Sequence, residues 1–209
     1  MNDWQKAQEW EQAWHDNCIN SFHEEEKQMV YAEKMGLIKV STPKSPHNYN
    51  LENKNILDIG GGAYSLLLKC LNIGSYTTVI DPLMDKHPVW VHERYKCLGV
   101  NAMALKGEDV IPAFENYVFD EVWFYNVLEH VEDPEKIVQN AKKVAKVIRV
   151  FEWLDTRINT GHIHSLTEEN MNKWLGGFGK CEVISRGGAN GKCYYGLFLG
   201  DHYATHSNR

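Results

Sequence analysis

The 209-residue sequence predicts one α/β domain: a mostly parallel seven-stranded sheet with helices on both faces, an antiparallel C-terminal hairpin and an N-terminal helical extension. Three observations predict it. Between residues 54 and 153, short β-branched or apolar runs alternate with helical patterns, the order of a parallel sheet covered on both sides. The first of those runs, residues 55–59, ends directly in Gly60-Gly61-Gly62. Near the end, two strand-like runs are joined by Arg186-Gly187-Gly188-Ala189-Asn190-Gly191, turn formers that fold the chain back on itself.

Residues 1–36 read as two helices. Trp4, Ala7, Trp10 and Trp14 fall at helical spacing and make one apolar, aromatic stripe, expected to serve packing. Ser21 and Glu24 have the spacing of a capping box at the start of the second helix. Met29, Val30 and Met35 form its apolar side, and Gly36 stops it. Residues 41–50 are turn formers and read as a linker, so a helical cap and linker (1–50) precede an α/β unit (51–209) that folds as one globular body. After the strand at 55–59 comes a helix at 63–71, then a β-branched strand at 76–80. A helix at 87–98 and strands at 102–105 and 121–125 follow. Asp133 as N-cap, Pro134 at the first position and Ile137, Val138, Ala141, Val144 and Ala145 on one face signal the next helix. A strand at 147–153, a helix at 167–175 and strands at 182–185 and 193–199 complete the order.

Composition narrows the class. Apolar residues make up 43% of the chain and charged ones 24%, a globular balance. No apolar run approaches the roughly 18–20 residues that span a bilayer, and the first residues lack the pattern of a secretory signal. Lys and Arg number 22 against 28 Asp and Glu, with no basic block, which disfavours a partner held through nucleic-acid phosphates. Cys18, Cys70, Cys97, Cys181 and Cys193 are scattered without a CxxC pair, so reduced thiols and a cytoplasmic location are expected.

A strand, a glycine turn and a helix make a nucleotide cradle at the carboxyl edge of a Rossmann-like sheet. Gly60 and Gly62 let the backbone turn sharply and approach a ligand. A helix starting at Ala63 would aim its N–H groups there. Asp81, 19 positions past Gly62, follows the second strand, where a carboxylate can accept both ribose hydroxyls. A dinucleotide fingerprint needs glycine at 65, where Ser65 stands, so an NAD-linked reductase is the weaker reading. Asp58, ahead of the glycines, suits a cationic ligand better than a pyrophosphate.

Asp58-Ile59-Gly60-Gly61-Gly62 resembles the first motif of class I S-adenosylmethionine-dependent methyltransferases, D-x-G-x-G-x-G. The run Phe119-Asp120-Glu121-Val122-Trp123-Phe124-Tyr125-Asn126-Val127-Leu128-Glu129-His130-Val131-Glu132-Asp133-Pro134 resembles the fourth-strand motif of their small-molecule, type 11-like branch. With Asp81 the resemblance spans about residues 54–153, and it departs where Tyr64 replaces the last motif glycine. It implies S-adenosyl-L-methionine as cofactor, with Asp58, Gly60, Gly61 and Gly62 at the methionine portion and Asp81 at the ribose. It further implies Glu108 near the adenine and Asn126 facing methionine and acceptor.

Methyl transfer from a sulfonium is an in-line displacement, helped by alignment and, for a hydroxyl or protonated amine, by a general base. His162 and His164 would face the same way in an extended segment and are the expected catalytic bases. The same pair, with Glu152 or Asp155, has metal-ligand character, but no metal is assigned. Tyr31, Glu152 and His130 are expected near the substrate, with Glu26 and Gln28 reaching inward from the cap. The chain lacks the Asp/Asn-Pro-Pro-aromatic turn of nucleic-acid amino-methyltransferases and any Pro-Cys nucleophile. The expected function is methylation of an oxygen or nitrogen of a small molecule. A non-catalytic S-adenosylmethionine sensor or scaffold is the alternative from another class.

Overall fold

The computed structural model describes residues 3–18, 22–40 and 49–203. The chain begins with α1 (Asp3–Cys18), α2 (Phe22–Lys34), β1 (Ile38–Lys39), β2 (Tyr49–Asn50), β3 (Ile56–Ile59) and β4 (Cys70–Leu71). Next come β5 (Thr78–Ile80), α3 (Val89–Cys97), β6 (Asn101–Met103), α4 (Val110–Phe114) and β7 (Phe119–Tyr125). It ends with α5 (Pro134–Val144), β8 (Ala145–Trp153), α6 (Glu168–Leu175), β9 (Lys180–Arg186) and β10 (Ala189–Leu199). A seven-stranded sheet has the order β6-β5-β3-β7-β8-β10-β9, and β1, β2 and β4 make a second, small sheet. In the large sheet β10 runs antiparallel to β8 and β9, and the remaining pairs are parallel. The expected hairpin is therefore present, with β10 inserted beside β8 and β9 left at the edge.

β3 is flanked by β5 and β7, so the strand order reverses there and a crevice opens at the carboxyl ends of β3 and β7. Both strands are buried on both faces: all of β3 is buried, and in β7 only Asp120 is partly exposed. One face is covered by α5 through Ile137, Val138, Ala141 and Val144, together with Met171 and Leu175 of α6. The other is covered by Val30 and Tyr31 of α2, by Met35 just past its end, and by Val91 and Tyr95 of α3. Asp133 caps α5, its carboxylate accepting from Lys136 N–H at 2.9 Å with Pro134 following. Thr167 does the same for α6, and Gly176 in the left-handed region ends it.

Some expectations are corrected. The helix expected at 63–71 is replaced by two short 3-10 turns, Gly62–Tyr64 and Leu66–Lys69, followed by β4. Ser65 is the cause. Its backbone is extended, its hydroxyl accepts from Leu67 N–H and donates to Asp58, and its N–H is tied to the Tyr95 hydroxyl. A residue held that way cannot continue a helix, so no long helix dipole points at the crevice. Tyr49 and Asn50, expected in the linker, form β2 because the Tyr49 ring is buried against Cys70 and its neighbours. Ser21 of the expected capping box and linker residues 41–48 lie outside the described residues. No described helix is long and apolar enough to cross a membrane.

One ion pair ties three elements together. Arg149 on β8 grips the buried Glu121 of β7 through Nε and, at 2.9 Å, through a second nitrogen, while its third nitrogen donates to the Met35 carbonyl at the end of α2. Trp123 Nε1 and Lys54 also reach Glu121. Burial alone would push this carboxyl up, but the guanidinium outweighs it and holds the group below the usual range. Its folded value lies under its unfolded one, so the stabilisation is full above the ordinary glutamate range and is lost as pH falls through the lowered value. Arg149→Ala is expected to destabilise the protein by about 3 kcal/mol at neutral pH, because it strands a buried charge. Denaturant melts should show that loss shrinking in acid, where Glu121 is protonated.

Candidate active site

The crevice at the end of β3 is built on a buried carboxylate. Asp58 Oδ2 accepts hydrogen bonds from the Ser65 and Tyr125 hydroxyls, both at 2.5 Å, while its Oδ1 is buried with no partner. Burial, partly offset by those hydroxyls, raises the carboxyl to about 7. Gly60 and Gly62 sit in the left-handed region above it, and a Cβ on Gly60 would lie 2.1 Å from the Val127 side chain. Asp81, past the end of β5, accepts from Leu83 N–H at 2.8 Å and is raised to about 6 by burial. Glu108 turns inward from the loop after β6, its carboxylate accepting the Glu132 and Asp133 N–H groups at 3.0 Å.

α1 covers this cavity with Trp4, Gln8, Glu11, Trp14 and His15, and α2 adds Glu24, Gln28 and Tyr31. Gln8 Oε1 and His15 Nδ1 are buried without partners, as is Asp58 Oδ1. Native interiors rarely leave such atoms orphaned, and a bound ligand is one of the groups that satisfies them. The orphaned carboxylate and amide oxygens call for donors such as an ammonium group or ribose hydroxyls. Around them Glu11, Glu24, Asp81 and Glu108 outnumber Lys106 at the wall, which suits a cation. These residues fit S-adenosylmethionine.

A second cavity lies beside the first and shares Glu11, Trp14, Asn126 and His130 with it. Trp10, Trp153, Glu129, Thr156 and His162 complete much of its wall. Asn126 is in the left-handed region at the end of β7, its N–H bound to the Phe151 carbonyl at 2.9 Å, so its side chain stands between the two cavities. His130 Nδ1 lies 2.8 Å from Glu11 Oε1 and 2.9 Å from the Gly161 carbonyl. Its Nε2 lies 3.5 Å from Glu129 Oε1, which is also 3.4 Å from His162 Nε2. Burial alone would lower the His130 imidazole, but the two carboxylates outweigh it and raise it to about 10. Glu129, His130 and His162 form the one cluster among the described residues able to hold a metal ion.

Most expected residues converge. Asp58, Gly60, Gly61, Asp81, Glu108, Asn126, Tyr31 and His130 all line the first cavity or its floor, and Gly62 packs under His15. His162 and His164 do not share a face. Residues 161–167 form a loop rather than a strand, and the His164 ring turns to the Val131 carbonyl at 2.9 Å, outside both cavities. Glu152 lies beneath the site, its carboxylate spent on the Val127 and Leu128 N–H groups and raised to about 8 by burial. Glu26 lines neither cavity, and its backbone lies against Gly187. The sequence reading missed the polar side of α1. Trp4, Gln8, Glu11 and His15 recur at helical spacing, so that signal was present beside the tryptophan stripe.

Residues 57–147 match the family model of a methyltransferase domain. No curated protein matches the chain by sequence. Among solved structures, the N-methyltransferase NodS from Bradyrhizobium japonicum WM9, in complex with S-adenosyl-L-homocysteine, superposes with a TM-score of 0.54 at 16% identity, covering 87% of this chain and 89% of that one. A possible histamine N-methyltransferase from Thermotoga maritima gives 0.54 at 14% identity over 95% of each chain. The mitomycin 7-O-methyltransferase MmcR gives 0.58 at 17% identity, covering 96% of this chain and 61% of that one. At these identities the structural likeness speaks for the fold. Sheet order and crevice thus define a Rossmann-like architecture, the fold these methyltransferase structures share. The matched methyltransferase domain, residues 57–147, contains the strand ends and turns that build the crevice.

Gly60 has no room for a side chain and a backbone angle that disfavours one. Gly60→Ala is expected to cost about 2 kcal/mol of stability, read from the shift of a urea unfolding midpoint.

Proposed function

We propose that the enzyme methylates an oxygen or nitrogen atom of a small molecule seated in the second cavity. The shared wall carries this reading: Glu11, Trp14, Asn126 and His130 border both chambers, so a molecule in one meets a ligand in the other. Trp10 and Trp14 roof the second chamber from α1, and Trp153 closes it from β8. A chamber bordered by three tryptophans favours a small, partly apolar acceptor over a polymer. The net charge of −6 supports the same choice. The named neighbours include both nitrogen and oxygen methylation, so the fold accommodates either.

S-adenosylmethionine, when bound, supplies a methyl group on a cationic sulfonium. The chain's own groups then have separable roles. Asp58 and Asp81 hold negative charge and acceptor oxygens under the first cavity, toward amino and ribose groups. Asn126 orients the boundary. Glu129, buried at the wall of the second chamber, and His162, part-exposed on it, are the polar groups an acceptor hydroxyl or ammonium would meet. α1 covers the first cavity, with His15 packed over Gly62. Scattered thiols support a cytoplasmic setting, and no disulfide joins the described cysteines.

Two measurements test this. Calorimetric titration with S-adenosylmethionine and S-adenosylhomocysteine should show micromolar binding that Asp81→Ala weakens at least tenfold. Below about 7 Asp58 holds a proton that a cation must displace, so S-adenosylmethionine affinity should rise with pH through that value, at most tenfold per pH unit. Asp58→Asn should flatten the step. With methyl-labelled S-adenosylmethionine and cell extract, label should pass into dialysable phenols, alcohols or amines. Label confined to protein or nucleic acid would overturn the small-molecule reading.

A further inference from the structure

The boundary between the two cavities carries more than acid–base groups. Glu129 and His130 come from the turn after β7, and His162 comes from the loop after β8. Each offers a ligand atom within 4.8 Å of the other two. Glu129 Oε1 stands 3.5 Å from His130 Nε2 and 3.4 Å from His162 Nε2. Hydrogen-bonded ion pairs close to about 2.7–2.9 Å, so neither contact is a formed hydrogen bond. A tetrahedral ion with bonds of about 2.0–2.1 Å keeps its ligands about 3.3–3.4 Å apart. The observed spacings match that edge.

We propose that Glu129, His130 and His162 bind a divalent first-row cation, best fitted by Zn2+, whose open fourth position faces the second cavity. The groups around them support it. His130 Nδ1 lies against two acceptors, Glu11 Oε1 and the Gly161 carbonyl, so its proton sits there and Nε2 is left for a cation. That is the second-shell arrangement of metal-binding histidines. Glu129 is oriented in turn, its Oε2 accepting from Thr156 Oγ1 at 2.8 Å. The loop carrying His162 is locked: Asn159 Oδ1 accepts the Gly161 and His162 N–H groups at 2.8 and 3.0 Å. The N–H of Ile163 returns to the Glu129 carbonyl at 2.9 Å. Three protein ligands with one position open is the pattern of catalytic rather than structural zinc.

The site stands on these contacts alone. Its use rests on the proposed acceptor chamber: an acceptor hydroxyl at the fourth position would be held against the Asn126 boundary, and its proton, made more acidic by the cation, would pass to solvent. This set differs from the sequence-derived pairing of His162 with His164, because His164 points elsewhere.

Chelator-treated full-length protein should be titrated with Zn2+ by calorimetry and with Co2+ by visible absorption. One equivalent of Zn2+ should bind, and Co2+ should give the intense visible bands of a tetrahedral ion. His162→Ala, on the exposed loop, and Glu129→Gln should each weaken Zn2+ binding at least tenfold, and Thr156→Ala about tenfold. His164→Ala should leave it unchanged. No stoichiometric binding, or equal affinity in wild type and His162→Ala, overturns the site. S-adenosylhomocysteine titration of the same variants reports independently on the fold and on the cofactor cavity, so failure of the metal site is distinguishable from failure of the methyltransferase reading.

Discussion

Asp58 sits at the end of β3 with its carboxylate fully buried, and the neighbouring elements are arranged to keep it there. The Tyr125 hydroxyl reaches it from β7 and the Ser65 hydroxyl from the turn below the cavity. Tyr125 Oη also accepts from Leu66 N–H, and Tyr95 on α3 donates to the Gly62 carbonyl. Strand, glycine turn and the adjoining helix are thereby tied to one group. The cost is a carboxyl raised to about 7 with one oxygen unpaired. A protein that maintains such a group without a partner has its site built before its ligand arrives.

This network explains what replaces the missing helix after the glycines. In the usual strand–turn–helix cradle, a helix N-terminus supplies N–H groups and a partial positive charge, suited to phosphate. Here Ser65 breaks the helix into 3-10 turns, and the field below the cavity is set by a carboxylate. Weakening the positive end and strengthening the negative one both favour a cation. The departure at Tyr64 fits that picture: its carbonyl is held by the Gln28 side chain from α2, so the turn is fixed by the cap instead of by a helix of its own.

Alternation, the presence of the main strands and the Asp133-Pro134 cap were legible because each is a local property of the chain. So were Asp58, Gly60, Asp81 and Asn126, which stand at strand ends that topology brings to one edge. The failures have a common form. Periodicity put Trp4, Trp10 and Trp14 on one side of a helix but could not say what that side faces, so chamber walls read as packing. Extended geometry was assumed for residues 161–164, where Asn159 instead folds the loop and separates His162 from His164. Glu152 looked like a site residue because it is a carboxylate at a strand end, yet two backbone N–H groups hold it beneath the site. Burial and partner, not residue type, decided each of these.

The distribution of charge at the boundary sets the chemical character of the second chamber. Glu11 and Glu129 flank His130, and positive charge between them stabilises two carboxylates in a buried place. The compensation is a protonated His130, a metal ion at its Nε2, or the sulfonium across the boundary at Asn126. Each alternative puts positive charge within reach of the same carboxylates. A cation entering the first cavity therefore bears on the proton affinity of His130, which lines both cavities. The two cavities share Glu11 and His130, so charge in one is felt in the other, and α1, which contributes Glu11 to both, is the element that links them.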